Sequence, residues 1–340
     1  MKAGLFYEHG TPVVLRVEDV PVPQPGPGEV RLRVAAAALN HLDLWVRSGL
    51  PGGTLLPHIG GADIAGTVDA IGADVTGVRA GERVVVDPSW SCGTCDWCER
   101  GEEPLCNSYR IIGEHTQGGF AEYVVVPARN LFGIPDDYPM EQAAAAPLVF
   151  LTAWRGLMTR ARLTTGDTVL ITGASGGVAT AAIQVAQHAG ARVYAVTTVD
   201  NVERVRALGA DVVYDREQVD YSKEVWADTG KRGVDIVFDS VGEVTWRQNV
   251  RTAARLGRIV VYGGTTGPHL ETDARLLFWK QLEIIGTTMS NRREFAAVMK
   301  LVFSGVLHPV IDVVWPLERI RDAHERLEAG AHFGKIVLVP

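Results

Sequence analysis

Residues 167–187 read DTVLITGASGGVATAAIQVAQ, and this stretch decides the fold. Thr168 to Thr172 is a run of apolar and β-branched residues with the look of a buried strand. The run breaks at Gly173 into a turn of small residues, after which Ala, Ile and Val recur at helical packing distance. Strand, glycine-rich turn and helix start together make a phosphate cradle, because free backbone N–H groups and the helix dipole both favour an anion. Gly173, Ala174, Ser175, Gly176, Gly177 and Val178 are therefore candidate cofactor-binding residues. Gly176 lets the backbone approach a pyrophosphate, and Gly177 allows close packing behind it. Against G-x-G-x-x-G the turn is degenerate, with Ala174 and Ala179 at the first and third glycine positions. A purely structural strand–helix turn looks the same, and a surrounding βαβ unit is what separates the two readings.

That unit is present. Strands are expected at 168–172, 192–196, 211–214, 234–238, 258–262 and 282–286, alternating with helical periods. This is the pattern of a doubly wound parallel sheet in an α/β protein, two mononucleotide-binding halves of three strands each. Asp239, Val241 and Gly242 end the fourth strand, and Tyr262, Gly263 and Gly264 end the fifth. Carboxyl ends of strands form the binding crevice, so Val241, Gly242, Gly263 and Gly264 are candidate ribose and nicotinamide contacts; turn glycines without a ligand are the alternative. The second strand ends at Thr197, where a ribose-reading acid belongs. Thr197 and Thr198 can accept a 2′-phosphate instead, with Arg204, Tyr214 and Arg216 as neighbours in sequence. This favours NADP(H) over NAD(H), while Asp200, three residues late, is the candidate that would serve NAD.

The flanks differ in character. Residues 1–130 hold short β-branched runs at 13–17, 29–34, 64–71, 83–87 and 120–126 between Gly/Pro turns, which suggests a compact barrel-like domain. The last segment offers a helix (293–303), a strand (310–314), a helix (317–328) and a strand (335–339). It is too short for its own core and is expected to pack back on the first domain. A net charge of −7 without a basic run argues against nucleic acid or an anionic membrane as partner. The opening MKAGLFYEHG lacks an apolar secretory core, and Pro147 interrupts the most apolar segment, so a cytoplasmic protein is expected.

All four cysteines fall in CGTCDWCERGEEPLC, as Cys92, Cys95, Cys98 and Cys106. The C-x2-C-x2-C-x7-C spacing suits tetrahedral Zn2+; disulfides are the alternative, disfavoured because nothing points to secretion. A four-sulfur site has no open position for substrate, so one such zinc per chain would be structural.

Together these features resemble the medium-chain dehydrogenase/reductase superfamily, the zinc alcohol dehydrogenase and quinone reductase group. The resemblance rests on the four-Cys lobe, QGGFAEY (117–123), APLVFLTAW (146–154), the GASGGV turn and HFGKIVL (332–338). It implies a GroES-like β-rich catalytic domain (1–150 and 289–340) with the zinc lobe at 92–106, a Rossmann domain (151–288), and an active site between them. It also implies a small-molecule substrate and a homodimer or homotetramer. The catalytic-zinc positions of that family depart here: the ligands read Asn40, Ala62 and Phe150, and the proton-relay positions read Leu42 and Trp45. Without a Lewis acid, simple alcohols are poor substrates, whereas a quinone or enone spreads the incoming charge onto a remote oxygen that hydrogen-bond donors can hold. The resemblance thus points to an NAD(P)H-dependent reductase of activated double bonds or quinones. An alcohol dehydrogenase or aldehyde/ketone reductase is the alternative, and a cofactor-binding protein without turnover a third reading. Asn40 is the candidate donor, or else an amide that caps a turn; Asn40 with Asp43 matches the Asn-x-x-Asp of zinc-free quinone reductases. Asp43 and Asp63 can orient Asn40 or hold water, or else are relics of a metal site's outer shell. His41 matches a pyrophosphate contact, Thr152 a position beside the nicotinamide, and His115 is a candidate proton donor. Trp45, Trp90, Phe150, Phe278 and Trp279 are candidate pocket aromatics.

Overall fold

The computed structural model describes residues 1–51 and 53–340. The chain forms two compact units, Met1–Leu148 with Ser290–Pro340, and Val149–Met289.

In the first unit the strand Glu29–Ala38 is the spine. Val30, Leu32 and Val34 alternate inward along it, as the period of a half-buried strand requires. It pairs antiparallel with Asp63–Ile71, with Tyr123–Pro127 and with the C-terminal strand Lys335–Val339. Arg83–Val86, Leu131–Gly133 and Ile311–Pro316 complete a seven-stranded sheet. The register Val337↔Ala38 and Leu338↔Ala37 carries the C-terminal strand into this core and, continued, sets Lys335 opposite Asn40. Phe6, Leu32, Val68, Phe120, Ile320, Leu327 and Leu338 pack together in the interior.

The second unit is a six-stranded parallel sheet. Its order is Val212–Asp215, Arg192–Thr197, Thr168–Ile171, Val234–Asp239, Ala253–Val261, Glu283–Gly286. Numbered along the chain this is 3-2-1-4-5-6, the dinucleotide-binding order, with the switch point beside the first strand.

Two expected strands differ. At 13–17 the chain makes a 3-10 turn, Pro12–Val14, before the strand Arg16–Asp19. Pro12 fixes its own φ and supplies the carbonyl that accepts from the Leu15 N–H at 3.1 Å. The strand expected at 120–126 begins only at Tyr123, because Gly118, Gly119 and Phe120 donate their N–H groups to the 59–61 backbone. A Cβ on Gly118 would lie 2.4 Å from the Gly60 carbonyl oxygen, so the glycines of QGGFAEY serve a backbone-to-backbone contact. Among the described residues no helix is long and apolar enough to cross a membrane.

Candidate functional site

Within the first unit, Asn40, Asp43, Asp63 and Lys335 form one buried polar cluster, each no more than 6% exposed. Asn40 follows the spine strand by two residues and caps the helix His41–Ser48. The Asp43 carboxylate ties two loops together, accepting from the Asn40 N–H at 2.7 Å and the Gly61 N–H at 2.9 Å. Burial pushes its carboxyl up to about 6, against the pull of those two N–H donors and of Lys335. Asp63 accepts from the Leu148 N–H at 2.8 Å on one oxygen. Its other oxygen accepts from the Asn40 amide at 2.9 Å and the Lys335 ammonium at 2.9 Å. Lys335 also donates to the Leu39 carbonyl at 2.6 Å and to Asn40 Oδ1. Asn40 is thus held at both ends: Oδ1 faces the ammonium and Nδ2 faces the carboxylate. Its second amide N–H has only the Ala38 carbonyl at 3.5 Å.

His41 and His332 adjoin this cluster, their rings 6.4 Å apart. Burial, then the nearby Lys335 charge, lowers His41. Burial, then His41, brings His332 down to about 4, and its Nδ1 is buried without a partner. His115 stands apart from the cluster on an exposed turn, 43% exposed, where its Nδ1 accepts from the Ile111 N–H at 3.1 Å. Lys335 and His332 were not among the candidates from sequence. Both sit in HFGKIVL, and only the strand register shows that this motif ends beside Asn40.

In the second unit the GASGGV turn lies at the end of the first parallel strand. Gly173 has φ +58°, and its carbonyl accepts from the Gly176 N–H at 2.9 Å, which closes the turn onto the helix Gly177–His188. The first-turn N–H groups of that helix have no intrahelical acceptor. Ala174 is fully buried, its N–H donating to Val196, so it contributes packing. Beside the turn, Asp239 is wholly buried and accepts from the Gly242 N–H at 2.9 Å, from the Thr245 hydroxyl at 2.9 Å and from the Thr172 hydroxyl. It locks Val241 and Gly242 next to Gly173, where a Cβ would come 3.3 Å from Val241. Thr265 and Thr266 donate their N–H groups back to Ser240 and Val241, which brings Gly263 and Gly264 to the same edge. The small-residue turn and this anchored loop fit a dinucleotide, whose pyrophosphate the turn would hold.

Other expected contacts are placed differently. Thr197 is 3% exposed and its hydroxyl is buried without a partner. Tyr214 is buried, stacked on Tyr194, with its hydroxyl donating to Asp228 at 2.6 Å. Thr198 accepts from the Asn201 amide at 3.3 Å, and Arg204 is exposed on its helix. Thr152 and Phe150 are buried in the helix Pro147–Trp154. Phe278 and Trp279 are 59% and 70% exposed.

The four cysteine sulfurs all lie within 4.8 Å of one another. Separations of 3.5, 3.6 and 3.9 Å are far beyond a disulfide bond. They match the ~3.8 Å edge of a tetrahedron with Zn–S bonds of about 2.3 Å. Backbone N–H groups of Cys92, Thr94 and Ser108 point at the sulfurs, as thiolates require. The Thr94 N–H and hydroxyl bring the Cys92 thiol down to about 6. These residues fit one structural zinc. At the three positions where the family's catalytic zinc is expected, a second zinc does not fit: Ala62 and Phe150 have no donor atom, and the Asn40 amide is committed to Lys335 and Asp63.

Comparison with known proteins agrees with this architecture. Residues 26–136 match the alcohol dehydrogenase GroES-like domain family, and residues 177–304 match the zinc-binding dehydrogenase family. An NAD-dependent alcohol dehydrogenase of Sulfolobus acidocaldarius is 36% identical, covering 99% of each chain. An acryloyl-coenzyme A reductase of Metallosphaera sedula is 33% identical over 90% of each chain. A crystal structure of an NAD-dependent alcohol dehydrogenase superposes with a TM-score of 0.96 at 43% identity, with both chains fully covered. The chain belongs to the medium-chain dehydrogenase/reductase superfamily and is an NAD(P)H-dependent oxidoreductase with a GroES-like domain and a Rossmann-type parallel sheet.

Proposed function

We propose that this enzyme reduces a carbon–carbon double bond conjugated to a carbonyl, or a quinone, without a catalytic zinc. The observation that carries this is the Asn40–Asp63–Lys335 cluster, in which Asn40, at one of the three expected metal-ligand positions, is bound instead to a lysine and a carboxylate. A dinucleotide, when bound, would supply the hydride. The protein has then only to hold negative charge on a delocalised oxygen, which positioned N–H donors do without a Lewis acid. Asn40 is the proposed donor, through the one amide N–H that Asp63 does not take. Lys335 and Asp63 fix which way that N–H points. His41 is proposed to meet the cofactor phosphates and His115 to exchange protons with solvent. The name of the acryloyl-coenzyme A reductase relative supports an enoyl acceptor.

The second reading, alcohol or aldehyde/ketone turnover, is supported by the names of the alcohol dehydrogenase relatives. A panel of enone, enoyl thioester, quinone, aldehyde and alcohol, read by cofactor absorbance, separates the two. Preferred turnover of the enone, thioester or quinone supports the proposal, and preferred turnover of a simple alcohol refutes it.

For the dinucleotide, NADP(H) over NAD(H) remains our reading, on narrower grounds. Burial removes Thr197 and Tyr214 from the argument. What supports it is that Thr197 rather than an acid ends the second strand, and that Arg216 is exposed and bonded through its N–H to the Thr197 carbonyl at 2.9 Å; exposed Asp200, three residues on, and the NAD-dependent names of relatives favour NAD(H) instead. A kcat/KM ratio that favours NADH would refute it. We also propose a homodimer. The edge strand Glu283–Gly286 has one free side, and the preceding helix Ala274–Lys280 buries none of its residues. A monomer in analytical ultracentrifugation would refute this.

A further inference from the structure

A lysine in a protein interior is costly unless all three of its N–H groups find acceptors. Lys335 is 3% exposed, and its ammonium meets three oxygens: the Leu39 carbonyl at 2.6 Å, Asp63 Oδ2 at 2.9 Å and Asn40 Oδ1. Each comes from a different kind of group, a backbone carbonyl, a carboxylate and a side-chain amide. An all-oxygen set of this kind is what a hard cation seeks, and it lacks the sulfur and nitrogen donors that zinc prefers. The backbone builds the cage before any side chain is placed: the register of Lys335–Val339 on Glu29–Ala38 sets residue 335 opposite residue 40. Ala38↔Asp63 brings the carboxylate alongside. Gly334, at φ +88°, passes so close to Val310 that a Cβ would lie 2.3 Å from its carbonyl oxygen, which fixes where the lysine starts.

We propose that the Lys335 ammonium is the resident cation of this pocket, closing to outside metal a three-oxygen cage of Leu39 O, Asn40 Oδ1 and Asp63 Oδ2 that would otherwise take a hard cation. The ammonium does two things at once. It satisfies Asp63 in a place water does not reach, and it forces the Asn40 amide into a single orientation, because Oδ1 must face the cation and Nδ2 the carboxylate. The inference concerns cation occupancy and stands whichever acceptor the enzyme reduces.

The test uses the full-length, zinc-loaded chain as wild type, Lys335→Ala, Lys335→Met and Lys335→Met/Asp63→Asn. Bound metal is counted by elemental analysis, Mn2+ binding is followed by electron paramagnetic resonance, and melting is scanned with added salts. Wild type is expected to hold one zinc per chain and to bind no Mn2+ in the cage. Lys335→Ala is expected to melt lower, to bind one Mn2+ per chain, and to recover melting temperature with Mn2+ or with n-propylammonium, which restores the missing chain and charge. Recovery with neutral 1-propanol to the same extent would show that Lys335 only fills space and would overturn the proposal. So would a second metal ion taken up by wild type, or a Lys335→Ala protein that melts like wild type and ignores both cations. If the alanine variant does not fold, the methionine pair decides. A neutral side chain of similar length leaves Asp63 unpaired, so the double variant must be more stable than Lys335→Met; the reverse order refutes the cage.

Discussion

Asp43→Asn isolates the carboxylate that joins the Asn40 and Gly61 loops, and its effect must depend on pH. Both Asp43 oxygens accept backbone N–H groups, yet burial wins and raises the carboxyl from an ordinary 3.8 to about 6. A group whose folded pKa is raised stabilises most when protonated, and that stability is lost as pH rises from 3.8 through 6. The raise of about 2 units corresponds to roughly 3 kcal/mol across that window. An asparagine cannot titrate, and its NH2 must face one of the two N–H donors. The substitution therefore costs most at low pH, and the cost shrinks by about 3 kcal/mol once the wild-type carboxylate has ionised. In melting temperature this is about 6–12 °C of convergence between variant and wild type. Scanning calorimetry of both proteins from about pH 4 to about pH 8 measures it. A difference that stays constant, or widens towards alkaline pH, would mean that the two N–H donors outweigh burial, and the reasoning would fail.

Three further outcomes follow from the same contacts. His332, lowered to about 4 by burial and its neighbours, must charge on unfolding in acid. It removes roughly 3 kcal/mol of stability as pH falls from its ordinary value through about 4, so His332→Gln should flatten the acid limb of the melting curve. Gly118→Ala forces a methyl against the Gly60 carbonyl and should lower stability by about 1–3 kcal/mol in urea unfolding, a neutral result being incompatible with the packing described. Asp239→Asn breaks the anchor of the Gly242 loop and should weaken dinucleotide binding by about tenfold or more in fluorescence titration, with unchanged affinity counting against the strand-end site.

Much of the Rossmann unit was legible because a parallel sheet writes itself as apolar runs separated by helical periods, and glycine marks the turn that bends sharply at Gly173. The cysteine cluster was legible because its members are near in sequence. What was hidden depends on distant residues meeting. Lys335 is 295 positions from Asn40, and no local pattern ties them together; the register of two antiparallel strands does. Asn40 reads from sequence as a candidate donor or a turn-capping amide; it caps the helix His41–Ser48, and its partners Asp63 and Lys335 come from two other strands. Thr197 read correctly as a strand end, but its 3% exposure is set by the neighbouring strand and loop, which period-2 patterning does not encode. At 120–126 the β-branched run was real, and the backbone contact to 59–61 delayed the strand to Tyr123.

We propose hydride transfer by this chain without a catalytic metal. Metal stoichiometry measured on the same preparation as the substrate panel tests it most directly. One zinc per chain, lost on Cys95→Ser, together with chelator-insensitive reduction of an enone or quinone, is the predicted result. Two zincs per chain, or alcohol oxidation abolished by a chelator while the fold remains intact, would contradict it.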